Sequence, residues 1–144
     1  MSTDDNRALV QRFCTEVFVE GSSEAIESLV TDDFVDSSPG SFSAGREGLR
    51  EHVEFLRSTF GEYRFTVQDE VANEDQVVLF WTLHGTNHGT FLGLAPTEKP
   101  IDARIVSLFT LRDGRVAAYR GHPDVWGVVS QLGATVNVAM PEPG

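Results

Sequence analysis

The chain of 144 residues has one cysteine, and Cys14 therefore has no partner for an intramolecular disulfide. A secreted scaffold stapled by cysteines is excluded. Positive charge is equally scarce. Eleven basic residues, of which Lys99 is the only lysine, face 22 acidic ones and leave a net charge of −11. Such a surface repels phosphate backbones and anionic lipid headgroups, which argues against nucleic-acid and membrane partners. Long hydrophobic runs are missing too, the longest being Val77 to Trp81, far short of a membrane span. The N-terminal stretch Met1-Ser2-Thr3-Asp4-Asp5 is acidic where a signal peptide is basic, so the expected location is the cytoplasm. Two readings of the acidity stand side by side: self-repulsion that keeps a soluble protein dispersed, and adaptation to high salt, where screening removes the repulsion.

What is present suits one ordinary domain. Forty per cent of the residues are apolar and 23% charged, enough to build a sizeable core in a chain of this length. Apolar residues from Asn6 to Val19 recur at helical spacing, with Asp4 or Asp5 placed to cap and Gly21 to stop. A short helix follows around Ala25, Ile26, Leu29 and Val30, and a third from about Arg46 to Phe60, ended by Gly61. Cys14 sits on the apolar stripe of the first helix and reads as a small buried hydrophobe.

After Gly61 the period changes to alternation. Tyr63, Phe65, Val67 and Val71 interleave with polar residues, then Val77, Leu79, Trp81 and Leu83 form one face of a second strand. The other face of that strand, with Val78 and Phe80, is also apolar and predicts a cover on both sides, helices on one and a second copy of the chain on the other. A third strand spans Ile101 to Leu111, Asp113-Gly114 marks a two-residue hairpin, and a fourth strand runs from Arg115 to Arg120. Asp124 to Leu132 reads as a short closing helix. Helices followed by an antiparallel meander predict an α+β domain over residues 1–133 with a tail at 134–144.

Two blocks carry a resemblance. Gly85-Thr86-Asn87-His88-Gly89-Thr90-Phe91-Leu92-Gly93-Leu94-Ala95-Pro96-Thr97, and Asp113-Gly114-Arg115-Val116 leading through Pro123-Asp124 to Gln131-Leu132-Gly133, resemble the SnoaL-like polyketide cyclase (ester cyclase) family of the nuclear-transport-factor-2-like superfamily. The resemblance covers about Asn6 to Gly133. It implies a conical α+β barrel, with N-terminal helices packed in a curved antiparallel sheet around an internal cavity, and a homodimer through the outer sheet face. It also implies ring closure of a hydrophobic polyketide by an intramolecular aldol reaction, with no metal or cofactor and an Asp as acid and base. Desolvation suits that chemistry, since it raises a carboxylate's pKa toward neutrality and a developing enolate needs only positioned donors.

The matches break at the centre of the chemistry. The last-strand position of the family's catalytic Asp is Gly121, and the assisting His of the preceding strand is matched by Ser107. The Arg-x-Asp of the related limonene-epoxide-hydrolase group would fall in Phe80-Trp81-Thr82-Leu83, which carries neither group. Where many members have a His beside Asp and Pro, this chain reads Asp36-Ser37-Ser38-Pro39.

Three candidates for displaced chemistry remain. Asp124 matches a widespread Pro-Asp motif, but an Asp there first suits an N-cap of the closing helix. His122, two residues away, brings the side-chain type most used for proton transfer and would pair with it as acid and base. His88 lies in the loop that the family uses as its cavity rim. Trp81, Tyr63, Phe65, Phe109 and Tyr119 fall on inward faces and read either as core or as the wall of a cavity for a flat ligand, with Ser107 and Tyr119 as hydroxyl donors. His52 lies beside the apolar stripe of the third helix and reads as packing or as looking into a cavity. The four histidines are scattered over separate elements, a pattern against a metal site. The function expected is therefore that of a cofactor-independent enzyme on a small hydrophobic carbonyl compound. The alternative is a silent ligand-binding domain that keeps the cavity. An apolar lining throughout would favour the second, a buried His paired to a carboxylate the first.

Overall fold

The computed structural model describes residues 2–40 and 42–144. Its elements run α1 (Thr3–Phe13), continued by a π-helical turn (Cys14–Val19), α2 (Ser23–Leu29), β1 (Val30–Asp36), α3 (Gly45–Phe60), β2 (Arg64–Ala72), β3 (Gln76–Thr86), β4 (Pro100–Arg112), β5 (Arg115–Pro123) and α4 (Val125–Gln131). The class is α+β, with a curved, open five-stranded sheet in the order β1-β5-β4-β3-β2.

Local chemistry explains the helix ends. Ser2, not Asp4 or Asp5, caps α1: its hydroxyl accepts from the Asp5 amide at 3.0 Å while the Asp5 carboxylate accepts from the Ser2 amide at 3.2 Å. Ser22 caps α2 by accepting from the Ala25 amide at 3.1 Å, and Gly61 ends α3 at φ +64°. The π-helical turn widens the first helix where it meets the rest of the fold. The Glu20 amide bonds back five residues to the Thr15 carbonyl, and the Phe18 and Val19 carbonyls are left to accept from the Tyr63 hydroxyl and the Arg57 guanidinium.

Two features depart from the sequence expectation. An additional strand, β1, pairs in parallel with β5, so the sheet is mixed rather than an antiparallel meander. Its residues Val30-Thr31-Asp32-Asp33-Phe34 do not alternate, because an irregularity in the pairing between Val30 and Val35 puts two exposed aspartates side by side. In β2 a bulge between Val67 and Asp69 shifts the register against β3. The single extra residue turns Val71 outward, where it is 64% exposed, and Glu70 and Ala72 toward the interior.

Elsewhere the alternation holds. Val77, Leu79, Trp81 and Leu83 of β3 and Ile101, Ala103, Ser107 and Phe109 of β4 are buried against the helices. The β4–β5 hairpin turns on Asp113 at φ +52° and Gly114 at φ +74°, the left-handed pair that a two-residue turn requires. Residues 134–144 carry neither helix nor strand.

The core sits between α1 and the concave sheet face. Phe13 is fully buried, its ring edge-on to Phe18 with centroids 5.2 Å apart and to Phe109 at 5.7 Å. Replacing Phe13 by Ala removes the link between helix and sheet, and is expected to cost roughly 3–5 kcal/mol of unfolding free energy in urea titrations.

Candidate active site

Beyond the Phe13 cluster the concave face opens into a cavity of about 420 Å³, bounded by α3, the middle of β3, β4 and β5, residues 38–40, Phe42, and residues 91–92. Its wall is largely apolar, with Phe18, Leu56, Phe60, Leu83 and Ile105. His52 and Tyr119 are the titratable side chains among the described lining residues.

His52 projects from α3. Its Nδ1 lies 3.0 Å from Asp36 Oδ2, and both side chains are largely buried, at 14% and 6% exposed. Phe42 stacks on the imidazole, with centroids 4.7 Å apart and planes at 13°, and the Phe18 ring meets it edge-on. Asp36 is the last residue of β1, held beside Tyr119 by the parallel pairing with β5. The Ser38 amide donates to its other oxygen at 2.9 Å. Burial alone would raise the Asp36 pKa, but the hydrogen bonds from His52 and Ser38 outweigh it and hold the carboxyl below its ordinary range. An ionised Asp36 accepts a proton from Nδ1, so the tautomer that the hydrogen-bond network assigns to the uncharged ring has its lone pair on Nε2.

Next to His52 stands a second set of polar groups, with the Tyr119 ring centroid 6.0 Å from that of the imidazole. Trp81 Nε1 donates to Ser107 Oγ at 2.8 Å, and Ser107 Oγ lies 3.0 Å from Tyr119 Oη. The three side chains are at most 3% exposed. Burial pushes the Tyr119 phenol up from its ordinary pKa, so it is neutral at physiological pH. Gly121 makes room for that hydroxyl and donates its amide to Ser38 Oγ at 2.8 Å.

The three residues expected to carry displaced chemistry lie elsewhere. His122 is exposed on the convex face, whereas its neighbours Gly121 and Pro123 line the cavity. Asp124 caps α4, its Oδ1 accepting from the Gly127 amide at 2.9 Å. His88 turns away from the cavity to Glu98, with Nδ1 2.6 Å from Oε2. The pleat and Pro123 put His122 and Asp124 outside, so they do not form an inward acid–base pair. Of the residues expected to bind ligand, Trp81, Tyr119 and His52 line the cavity. The others belong to the layers behind it. Tyr63 is bonded to the Phe18 carbonyl, Phe65 packs edge-on against Trp81, Ser107 supports Tyr119, and Phe109 packs on Phe13 and Tyr119.

The sequence model of SnoaL-like polyketide cyclases matches residues 8–132. The chain belongs to this family. It is similar to nogalonic acid methyl ester cyclase from Streptomyces nogalater, at 25% identity over 121 residues, covering 81% of this chain and 89% of that protein. Among solved structures, IdmH from Streptomyces antibioticus, provisionally assigned as a polyketide cyclase, is 26% identical with a TM-score of 0.77, covering 89% of this chain and 98% of IdmH. TsrD from Streptomyces laurentii shares the fold, at 23% identity and a TM-score of 0.82, over 94% of this chain and 99% of its own.

In this SnoaL-like chain, two residues with roles at the site escaped the sequence reading. Asp36 lies in a strand without alternation, and its only signal was its place before Ser37-Ser38-Pro39, where many members carry a His beside Asp. Asn87 is fully buried and organises the rim: its Oδ1 accepts from the Thr97 amide at 2.8 Å, and its Nδ2 donates to the Gly89 carbonyl at 2.8 Å. Among the described residues no three His, Cys, Asp or Glu side chains gather as a metal site would require.

The folded Asp36 pKa lies below the unfolded value near 3.9. Its contribution to stability is therefore complete above that unfolded value and is lost as pH falls through the folded one. Urea unfolding from about pH 6 down to pH 2 is expected to show this acid limb, and Asp36→Asn to flatten it.

Proposed function

We propose that this SnoaL-like chain is a cofactor-independent enzyme that removes a proton next to a carbonyl group of a hydrophobic, polyketide-like substrate and closes a ring. The Asp36–His52 pair at the wall of an apolar cavity carries the proposal. His52 Nε2 takes a proton from carbon, and the C–H electron pair moves onto the carbonyl oxygen as an enolate. The enolate carbon then attacks a second carbonyl of the same molecule, forming the C–C bond. The proton returns from the imidazolium to the new alkoxide, so that no co-reactant is needed. Asp36 holds the ring in the tautomer that exposes Nε2 and stabilises the imidazolium formed part-way. The catalytic carboxylate of the family's last strand is thus replaced by a histidine on a helix, approaching from the other side of the cavity.

A silent carrier domain is the competing reading. It gives no reason for a carboxylate-backed imidazole at the cavity wall, a pair that costs desolvation where an apolar side chain would pack on Phe42 and Phe18 without that cost. The natural first probe is nogalonic acid methyl ester, the compound in the name of a relative, followed by uncharged aryl ketones. With a turned-over substrate, His52→Gln is expected to lower kcat by roughly 10²–10⁴ with little change in KM. Asp36→Asn is expected to lose a large part of the same factor. His122→Ala and Asp124→Asn are expected to leave kcat within about twofold, as groups outside the cavity should. Full turnover by His52→Gln would sink the assignment.

The proposal includes a homodimer through the convex face, where Phe80 is 45% and Val106 38% exposed. Light scattering is expected to give twice the chain mass, and Phe80→Glu to halve it. A wild-type monomer would refute the pairing.

A further inference from the structure

We infer that Tyr119 is the oxyanion-stabilising residue of the site, and that glycine at 121 is what admits its hydroxyl to the cavity wall; the role rests on the base reading of His52. A Cβ built on Gly121 would lie 2.3 Å from Tyr119 Oη and 2.9 Å from Cζ, closer than any packed pair tolerates. The space that a side chain at 121 would enter is therefore held by the phenol of residue 119. Tyr119 has no room to yield, since it is 3% exposed and packs against Phe18 and Phe109 with centroids 5.3 and 5.2 Å away. A carboxylate at 121 and a phenol at 119 exclude each other, and this chain has the phenol.

The hydrogen bonds aim the phenol proton at the cavity. An indole N–H only donates, so Ser107 Oγ is the acceptor for Trp81 Nε1. Ser107 Oγ lies 3.0 Å from Tyr119 Oη, where either hydroxyl can donate; Ser107 is fully buried and its proton has no other acceptor among the described residues, so donation from Ser107 to Tyr119 is the direction that leaves no proton at Ser107 unpaired. That leaves the Tyr119 proton free of any protein acceptor among the described residues. The phenol lines the same cavity as His52, with ring centroids 6.0 Å apart, so one small substrate can touch both. As His52 Nε2 takes the proton from carbon, the electron pair moves to the carbonyl oxygen, which accepts the hydrogen bond from Tyr119. Elevated by burial, the phenol donates that bond without giving up its proton.

The test uses binding rather than turnover. The probes are 4-nitro-1-naphthol, titrated above its own pKa so that the oxyanion exists without help from His52, and 1-nitronaphthalene, which lacks the oxygen. The folded wild type is expected to bind the naphtholate more tightly than the nitronaphthalene. Tyr119→Phe, which keeps the ring, is expected to weaken the naphtholate by about tenfold or more while leaving nitronaphthalene within about twofold. Gly121→Ala keeps the phenol but displaces it, and is expected to lose the same preference. Equal weakening of both probes in Tyr119→Phe, no weakening of either, or no naphtholate preference in the wild type would each overturn the inference. The base reading is separate: turnover surviving in His52→Gln removes the base and leaves the naphtholate result standing.

Discussion

The hydrogen bond between His52 Nδ1 and Asp36 joins α3 to the end of β1, and the shape of the site depends on it. Two elements distant in sequence meet there, one bringing an aromatic nitrogen and the other a carboxylate. Neither group is stable in an apolar wall alone, because an unpaired buried charge or donor costs more than most packing contacts return. Together they satisfy each other, and the Ser38 amide completes the carboxylate. Phe42 closes over the imidazole face, so the polar pair is covered except where it meets the cavity.

The sheet wall beside this pair is set by packing. Trp81, Ser107 and Tyr119 lie on three neighbouring inward faces of β3, β4 and β5, linked by hydrogen bonds from indole to hydroxyl to phenol. The phenol needs the volume that a side chain at 121 would fill, and glycine supplies it. The inward phenol at 119 and the missing side chain at 121 are therefore one packing arrangement.

Around the cavity mouth, polar side chains do structural work at one remove. Asn87 ties Thr97 and Gly89 together, and the amides of His88 and Gly89 donate to the Thr59 carbonyl at the end of α3. This holds the loop that presents Phe91 and Leu92 to the cavity, while His88 itself is used outside, against Glu98. A loop can thus match a family's cavity rim with its polar residue facing solvent, because the rim is set by backbone bonds.

Much of the fold was legible along the chain. Periods of 3.6 and 2, the Asp113-Gly114 turn and the glycines after helices are local signals, dictated by backbone sterics and by which face is buried. The two family blocks added the class. The α+β architecture, the inward faces of β3 and β4 and the placement of Trp81 and Tyr119 follow from these alone. What the sequence could not carry is pairing between distant segments. The parallel β1–β5 contact that sets Asp36 beside Tyr119, the bulge that turns Val71 outward and the side of the sheet on which His122 and Asp124 emerge all depend on register, where a shift of one residue exchanges the faces. For the same reason His52 read first as a packing residue, with a cavity group as the alternative, and the sequence did not show Asp36 at 3.0 Å from it.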